Sequence, residues 1–386
     1  MNIKYVFGIV LLLLFILLAF SGFLLPKNYL KPWQKDYAQQ FDDPRIVLIA
    51  HGLLAANGHN MQPWKIKLDE YDKDVFYLYA DANRLTKEVD PFARQTMISQ
   101  GTFLEYVKIA GEKNGYHTEF AFFPNGNYDE SNLTESMKSL PVARIKIAKS
   151  LKRDLSIYDY IFLPDTNRGP YKDEKLADNE ISELQKANSD KAILLSFYRD
   201  EEEVKSLNNY IVNGAEIESS IQRIYEENKN ILRVNEYEKN KYRYGFSLDG
   251  QGDSEIKMYI LQGLITVLPF LNNEKNAAKV FMENIETAAA HTPAYGMIMT
   301  EDNSRLSQIK AGMLYSRLIL TAHNMGLALQ PPSQVLEEYP EMKQQYNRIN
   351  NEFAGGKTIQ MLFRIGFPSQ IAVKSMKQDV QALLVD

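Results

Sequence analysis

The sequence predicts a mixed α+β protein behind a single membrane-spanning helix. Three observations predict it: a charge-free run of 21 residues near the N-terminus, short alternating apolar segments interleaved with long amphipathic ones, and two long helical stretches with the same glycine spacing. At 386 residues, 45% hydrophobic and 24% charged, the chain can build one large domain or two smaller ones with a substantial core. A net charge of −5 points away from a nucleic-acid partner. The absence of cysteine excludes disulfides, thiolate metal sites, iron–sulfur clusters and a cysteine nucleophile, and is compatible with either redox compartment.

The run YVFGIVLLLLFILLAFSGFLL, Tyr5 to Leu25, matches the roughly 20 apolar residues a helix needs to cross hydrocarbon. It is longer than the roughly 7–15-residue core of a secretory signal, and no A-x-A site follows, so it reads as an uncleaved single-pass anchor. Residues 1–31 are taken as anchor and linker. Lys4 lies on one side of the run and Lys27, Lys31 and Lys35 on the other. That bias is mildly adverse to a domain outside the cytoplasm, so the side is left open, with the extracytoplasmic one slightly favoured.

Asp43 and Pro44 then offer an N-cap and a first helical residue, followed by apolar residues on one face through Leu54. WKIKL and VFYLYA alternate as strands. From Asp90-Pro91 a long amphipathic helix runs to Gly115, a C-terminal cap. HTEFAFF and VARIKIA are strands, and the polar stretch 126–140 between them reads as a loop. A second series follows: a helix over 173–187, the strand KAILLSFY, one long helix over 201–229, a glycine-rich break at 241–254 suited to a lid, and helical sequence over 255–290. TPAYGMIMT and TIQMLFRIGF are strands on either side of a long helix ending at Gly326.

The two long glycine-bearing helices match. Each carries an early glycine and closes on another fourteen residues later, Gly101 to Gly115 and Gly312 to Gly326. Glycine inside a helix costs about 1 kcal/mol relative to alanine, so its early position implies close packing. Internal duplication is one reading of the spacing; two unrelated core helices is the other.

No P-loop, dinucleotide fingerprint, HExxH or GxSxG segment is present, and none of the five histidines stands at metal-ligand spacing. No side chain is a candidate catalyst and no metal is expected. That leaves the chemistry to a cofactor. The stretch AANGHNMQPW, with Asn57, Gly58, His59, Asn60 and Gln62 between a helix and a strand, is the densest group of small polar residues.

AANGHNMQPWKI resembles the N-x-Q-P-W loop of flavin-dependent nitroreductases. Four further segments are similar, in the same order, to the longer Acg-like branch of that family: ADANRLTKEVDPFARQTMISQG, LPDTNRGPY, AGMLYSRLILTAHNMGLALQPPSQ and IQMLFRIGFP. The resemblance covers about residues 42–380. It implies a nitroreductase fold in which two halves, here 32–160 and 161–386, are fused so that a monomer acts as a pseudo-dimer. It also implies one composite site for flavin mononucleotide (FMN).

In that site Arg168, with Lys374 and Lys377, would meet the phosphate, and Thr166 and Asn167 would add hydrogen bonds. Asn57, Asn60 and Gln62 would meet the polar edge of the ring, with Gly58 and His59 alongside. Gln330, Pro331, Ser333 and Gln334 would bring main chain near flavin N5. Pro164 and Asp165 stand where that branch carries an arginine pair, which removes up to two phosphate cations. Arg84 and Arg94 are further candidates for cofactor or lid contact.

Three functions are compatible with these residues. The first is an FMN oxidoreductase passing hydride from a small-molecule electron donor to a nitro, quinone-like or unsaturated acceptor. The second is a non-enzymatic protein that holds flavin under a lid. The third is a tethered fold that has lost flavin.

Overall fold

The computed structural model describes residues 3–249 and 255–385, so the last part of the expected lid, 250–254, lies outside the described residues. The first helix, α1 (Ile3–Ser21), is 19 residues long, about 28 Å at 1.5 Å per residue. It stops where Gly22 turns the chain at φ 73°. No helix among the described residues is long and apolar enough to cross a membrane. The single-pass span expected over Tyr5–Leu25 is therefore corrected to a shorter helix closed at Ser21.

The first sheet and its helices follow the sequence closely. Asp43 Oδ1 accepts the Arg45 N–H at 2.9 Å and Pro44 opens α2 (Pro44–Gly52). Strands β1 (Trp64–Leu68) and β2 (Val75–Ala80) form an antiparallel pair. Helix α3 (Arg94–Asn114) begins four residues later than the Asp90-Pro91 signal suggests. Asp90 still caps it, accepting the N–H groups of Gln95 at 3.0 Å and Thr96 at 2.9 Å. Strand β3 (Tyr116–Phe122), a short helix α4 (Leu133–Ser139) and strand β4 (Ala143–Lys149) complete this part. The helix α4 corrects the expected loop at 126–140: buried Ser136 and Met137 give a nominally polar segment an inward face.

The second part holds α5 (Asp178–Lys186), β5 (Ile193–Tyr198), α6 (Glu201–Ser219) and α7 (Gln222–Ile231). The single helix expected over 201–229 is thus two, parted where Ile221 takes extended dihedrals. Strand β6 (Leu232–Arg233) pairs with β7 (Phe246–Ser247) across α8 (Glu236–Tyr242). Helices α9 (Glu255–Val267) and α10 (Glu274–Ala290) are separated by a single turn at Pro269–Leu271. Then come β8 (Ala294–Thr300), α11 (Arg305–Asn324), β9 (Ala328–Gln330), α12 (Lys343–Phe353), β10 (Thr358–Gly366) and β11 (Leu384–Val385).

Among the described residues, besides the small β6–β7 pair, two larger sheets are ordered β11–β1–β2–β4–β3 and β5–β8–β10–β9. Set β11 aside and the two orders are the same: first, second, fourth, third strand, all antiparallel, with the long helix between the second and third. Those helices, α3 and α11, cross at the matched glycines. A Cβ on Gly101 would lie 1.9 Å from Ile309 O, and one on Gly312 would lie 2.0 Å from Ile98 O. Each glycine faces the residue three before its counterpart, so the contact is reciprocal. Strand β11, from the C-terminus, adds in parallel to the edge of the first sheet at β1.

Arg94 fastens the two parts at the start of α3. Its buried guanidinium donates to Gln360 O at 2.6 Å and Leu336 O at 2.7 Å. Arg94→Ala leaves two buried carbonyls without donors, and the expected loss is about 3 kcal/mol. Calorimetry of the variant should show a midpoint lower by about 3–4 °C.

Candidate functional site

The loop between α2 and β1 is held in an unusual shape. His59, Asn60 and Gln62 all have positive φ, between 50° and 52°. Such dihedrals cost non-glycine residues of order 1 kcal/mol each and persist only under strong restraint. The restraint is visible. Asn57 Oδ1 accepts the Gln62 N–H at 2.7 Å. Asn60 Nδ2 donates to Met376 O at 2.8 Å and Gly245 O at 3.0 Å. Gln62 Nε2 donates to Arg243 O at 2.8 Å, and its Oε1 accepts from Gln378 N–H at 2.9 Å. Gly58 N–H donates to Ser99 Oγ at 3.2 Å, and Trp64 Nε1 to Ser99 O at 2.9 Å. The amides of Asn57, Asn60 and Gln62 therefore build the loop and clamp it to the segments 243–245 and 376–378. Of the expected ring-binding side chains, His59 keeps an uncommitted group: its buried Nδ1 has no partner.

The segments around Asn167, Gln330 and Arg364 assemble on each other. Asn167 N–H donates to Leu329 O at 3.0 Å, and its Nδ2 to Gln370 O at 2.8 Å. Buried Arg364 donates to Gln330 Oε1 at 2.7 Å and to Gly169 O at 3.0 Å. Asn167 and Gln330 are thus structural links. Pro331 and Ser333 lead into the turn Gln334–Leu336, whose Val335 backbone abuts Gly214 on α6. Lys377 is buried; its Nζ donates to Ala55 O at 3.1 Å and stands 5.3 Å from the Trp33 ring. Lys374 lies over the same ring at 5.7 Å.

The loop and the Thr166–Arg168 segment share one polar neighbourhood beside the α3–α11 crossing. Arg168 is exposed to solvent, with protein crowded about its guanidinium. That crowding pulls its pKa down, against the fields of Asp165 and Tyr315. Burial, aided by the Arg168 charge, pushes His59 down to about 4. Burial lowers Lys377 to about 8, with Asp165 opposing. Tyr106 of α3 and Tyr315 of α11 are driven well up by burial and by Asp165. Their hydroxyls, and His323 Nδ1, are buried without partners. Tyr106, Tyr315 and His323 were missed from sequence, although a buried tyrosine in each glycine-anchored helix was a signal; Asp165 was read there only as the loss of a phosphate cation.

A second group of uncommitted polar atoms lies near Gln334. Glu218 of α6 and Glu337 are buried, each with Oε2 unpartnered, beside the unpartnered Oε1 of Gln334, Oδ1 of Asn228 and hydroxyl of Tyr339. Burial raises Glu218 to about 7 and Asp90 to about 6. Burial and then the Glu218 charge raise Glu337 further. Each carboxyl binds its proton more tightly folded than unfolded, so its stabilisation is complete in acid and lost as pH rises through the folded value. Burial depresses His59 and His323 to about 4, so their stabilisation is lost as pH falls from about 6.5. Between the unfolded carboxyl values near 4.5 and pH 7 the three carboxyls outweigh the two histidines, so thermal stability is expected to fall as pH rises across that window. Glu218→Gln with Glu337→Gln should remove most of that decline in a melting series.

Among the described residues a cleft of about 890 Å³ opens on the other side of Met61, bordered by Leu85, Ile221, Arg223, Arg233 and Tyr244. Tyr244, in the described part of the expected lid, borders this cleft. Tyr244 stacks on the Arg84 guanidinium at 3.2 Å, and Gly245 N–H donates to Asn60 O at 3.0 Å. Arg84 thus meets the lid segment, while Arg94 is structural.

No family model matches the chain, and no curated protein matches it. Among solved structures it is similar to a nitroreductase-like family protein from Bacillus cereus, 13% identical, with a TM-score of 0.33 over 61% of this chain and 98% of that one. It is also similar to an FMN-dependent nitroreductase from Clostridium difficile (12% identical, TM-score 0.28, 56% and 88% covered). A third is an FMN-dependent nitroreductase from Mycobacterium smegmatis solved with NADPH (12%, 0.30, 53% and 83%). At these TM-scores the similarities assign nothing to individual residues.

Proposed function

We propose that this chain is an FMN-binding oxidoreductase of the nitroreductase type, made of two fused halves around one composite site, with the Acg-like branch as its nearest pattern. The observation that carries the reading is the cluster at the α3–α11 crossing. There Arg168, two unpartnered buried tyrosine hydroxyls and the unpartnered His59 Nδ1 come from both halves of the chain. This set is cationic and polar, which suits an anionic phosphate. The reciprocal glycine crossing and the matching strand orders support the two halves, 32–160 and 161–386.

Arg168 and Thr166, with the tyrosine hydroxyls, would hold the phosphate. Lys377 would add charge at a distance, being engaged by Ala55 O. The strained main chain of 58–62 and the backbone at Ser333 and Gln334 would face the ring. Bound flavin would supply hydride exchange between a small-molecule donor and a nitro, quinone-like or unsaturated acceptor. The protein's part is to orient it, exclude water and offer the cleft beyond Met61 to the acceptor.

The contacts of Tyr244 with Arg84 and of Gly245 with Asn60 favour a second reading, in which the protein sequesters flavin without turning it over. Both readings place the protein at a membrane through α1, with the extracytoplasmic side favoured, and as a monomer.

The test is a visible absorbance spectrum after incubation with FMN and desalting. Retained flavin that bleaches with NAD(P)H or another biological donor supports the oxidoreductase. Retained flavin reduced only by dithionite supports sequestration. A colourless protein overturns both.

A further inference from the structure

Helix α1 is not alone. It packs antiparallel along α9, and the two backbones touch: a Cβ on Gly263 would lie 2.0 Å from Leu17 O. The rings of Phe23 and Tyr259 meet edge to face at 5.7 Å, which fixes the direction of the pair. Four residues on from Gly263, about 6 Å along the pair, α9 reaches the level of Leu13. There it ends in the exposed tip Val267, Leu268 and Phe270, the last 68% exposed.

The combined surface is too apolar for water. Among the described residues, eleven large apolar side chains between Tyr5 and Leu24 are exposed, Leu12 by 59% and Phe15 by 68%. At roughly half of a large side chain each, they show on the order of 1,000 Å², against about 300–600 Å² for the largest patch of an ordinary monomer. Two features favour lipid over a second copy of the chain as occupant. One end of the pair carries an amphipathic collar, with Tyr237 donating to Ala19 O at 3.3 Å and Lys27 above the Tyr259 ring at 5.3 Å. Such aromatic and basic side chains suit the membrane interface. The tip is followed on α10 by Lys275, and by Lys279 in an i,i+4 pair with Glu283 at 3.8 Å, so Lys275 is the cation that an interfacial apolar wedge would set against lipid headgroups.

We propose that α1 and the α9 tip are two limbs of one lipid-bilayer seat, so that the globular part rests on the bilayer in a fixed orientation rather than hanging from a tether. This deepens the membrane placement made above and rests on it. The seat is wired to the 57–62 loop. Gln262 of α9 donates to Asp249 at 3.2 Å, and Asp249 pairs with buried Lys239 of α8. Helix α8 leads to Arg243, whose carbonyl accepts from Gln62.

The chain lacks cysteine, so single labelling sites can be introduced cleanly into the full-length protein. An environment-sensitive fluorophore is placed at Phe270→Cys, at Leu12→Cys and, as an exposed reference, at Tyr71→Cys. The protein is reconstituted with phosphatidylcholine vesicles that contain doxyl-labelled lipid. The seat predicts blue-shifted emission at 270 and 12, with loss of most of it to the quencher, and neither effect at 71. Quenching at 12 with a water-exposed label at 270 overturns the seat and leaves a simple tether. Water-exposed labels at both positions overturn membrane placement itself.

Discussion

Replacing Arg168 with alanine is expected to weaken FMN binding about 10- to 100-fold, the range of one charge-assisted contact of roughly 1.5–3 kcal/mol. The expectation follows from how the cations near the site are engaged. Lys377 is buried against Ala55 O and Trp33, and Lys374 lies over the same ring. Arg364 is committed to Gln330 and Gly169. Arg168 makes no side-chain hydrogen bond to a described residue and stands where solvent reaches it. Lys377→Met should therefore cost stability more than affinity. Asp165→Asn should tighten binding, because it removes a negative charge that acts on Arg168, Lys377 and the two buried tyrosines. Titration by quenching of FMN fluorescence reads all three variants. Unchanged affinity in Arg168→Ala would remove the phosphate assignment, whatever the fold.

Much of this arrangement was legible in the residues, because local chemistry governs it. Asp43-Pro44 had to begin a helix, the alternation of WKIKL and VFYLYA had to lie half buried, and Gly101 and Gly312 implied a close crossing. The pattern could not tell which direction a polar side chain would take. Asn57, Asn60 and Gln62 are the residue types that bind a polar ring and also those that hold a strained turn. Here Asn57 is taken up within the loop by Gln62 N–H and Ala55 O, and the main chain of 243–245 and 376–378, over 180 residues away in sequence, claims Asn60 and Gln62. The same holds for Tyr106 and Tyr315: a buried aromatic on a helix reads as core until its hydroxyl is found without a partner. The break at Ser220–Ile221 and the helix at 133–139 depend on tertiary contacts that periodicity cannot encode.

The helix crossing offers the largest stability effect. In an open helix, glycine to alanine gains up to about 1 kcal/mol. At Gly312 the new methyl would sit 2.0 Å from Ile98 O and 3.1 Å from Gly101 Cα, and at Gly101 1.9 Å from Ile309 O. Neither backbone can rotate away as a side chain could, so the helices must separate. Overpacking of about 3 kcal/mol or more is expected from each substitution, which reverses the propensity gain. Gly8→Ala, with nothing within 4 Å of the new Cβ, is the control and should be neutral or slightly stabilising. The reciprocity of the crossing makes a sharper statement. Once one methyl has spread the helices, the second finds room, so Gly101→Ala with Gly312→Ala should cost clearly less than the sum of the two. Denaturant melts of the four proteins measure the coupling, and strict additivity would mean that the two contacts are independent. Spreading the crossing also moves α3 from α11 and so Tyr106 from Tyr315. FMN retention should then fall in the same variants even where the fold persists.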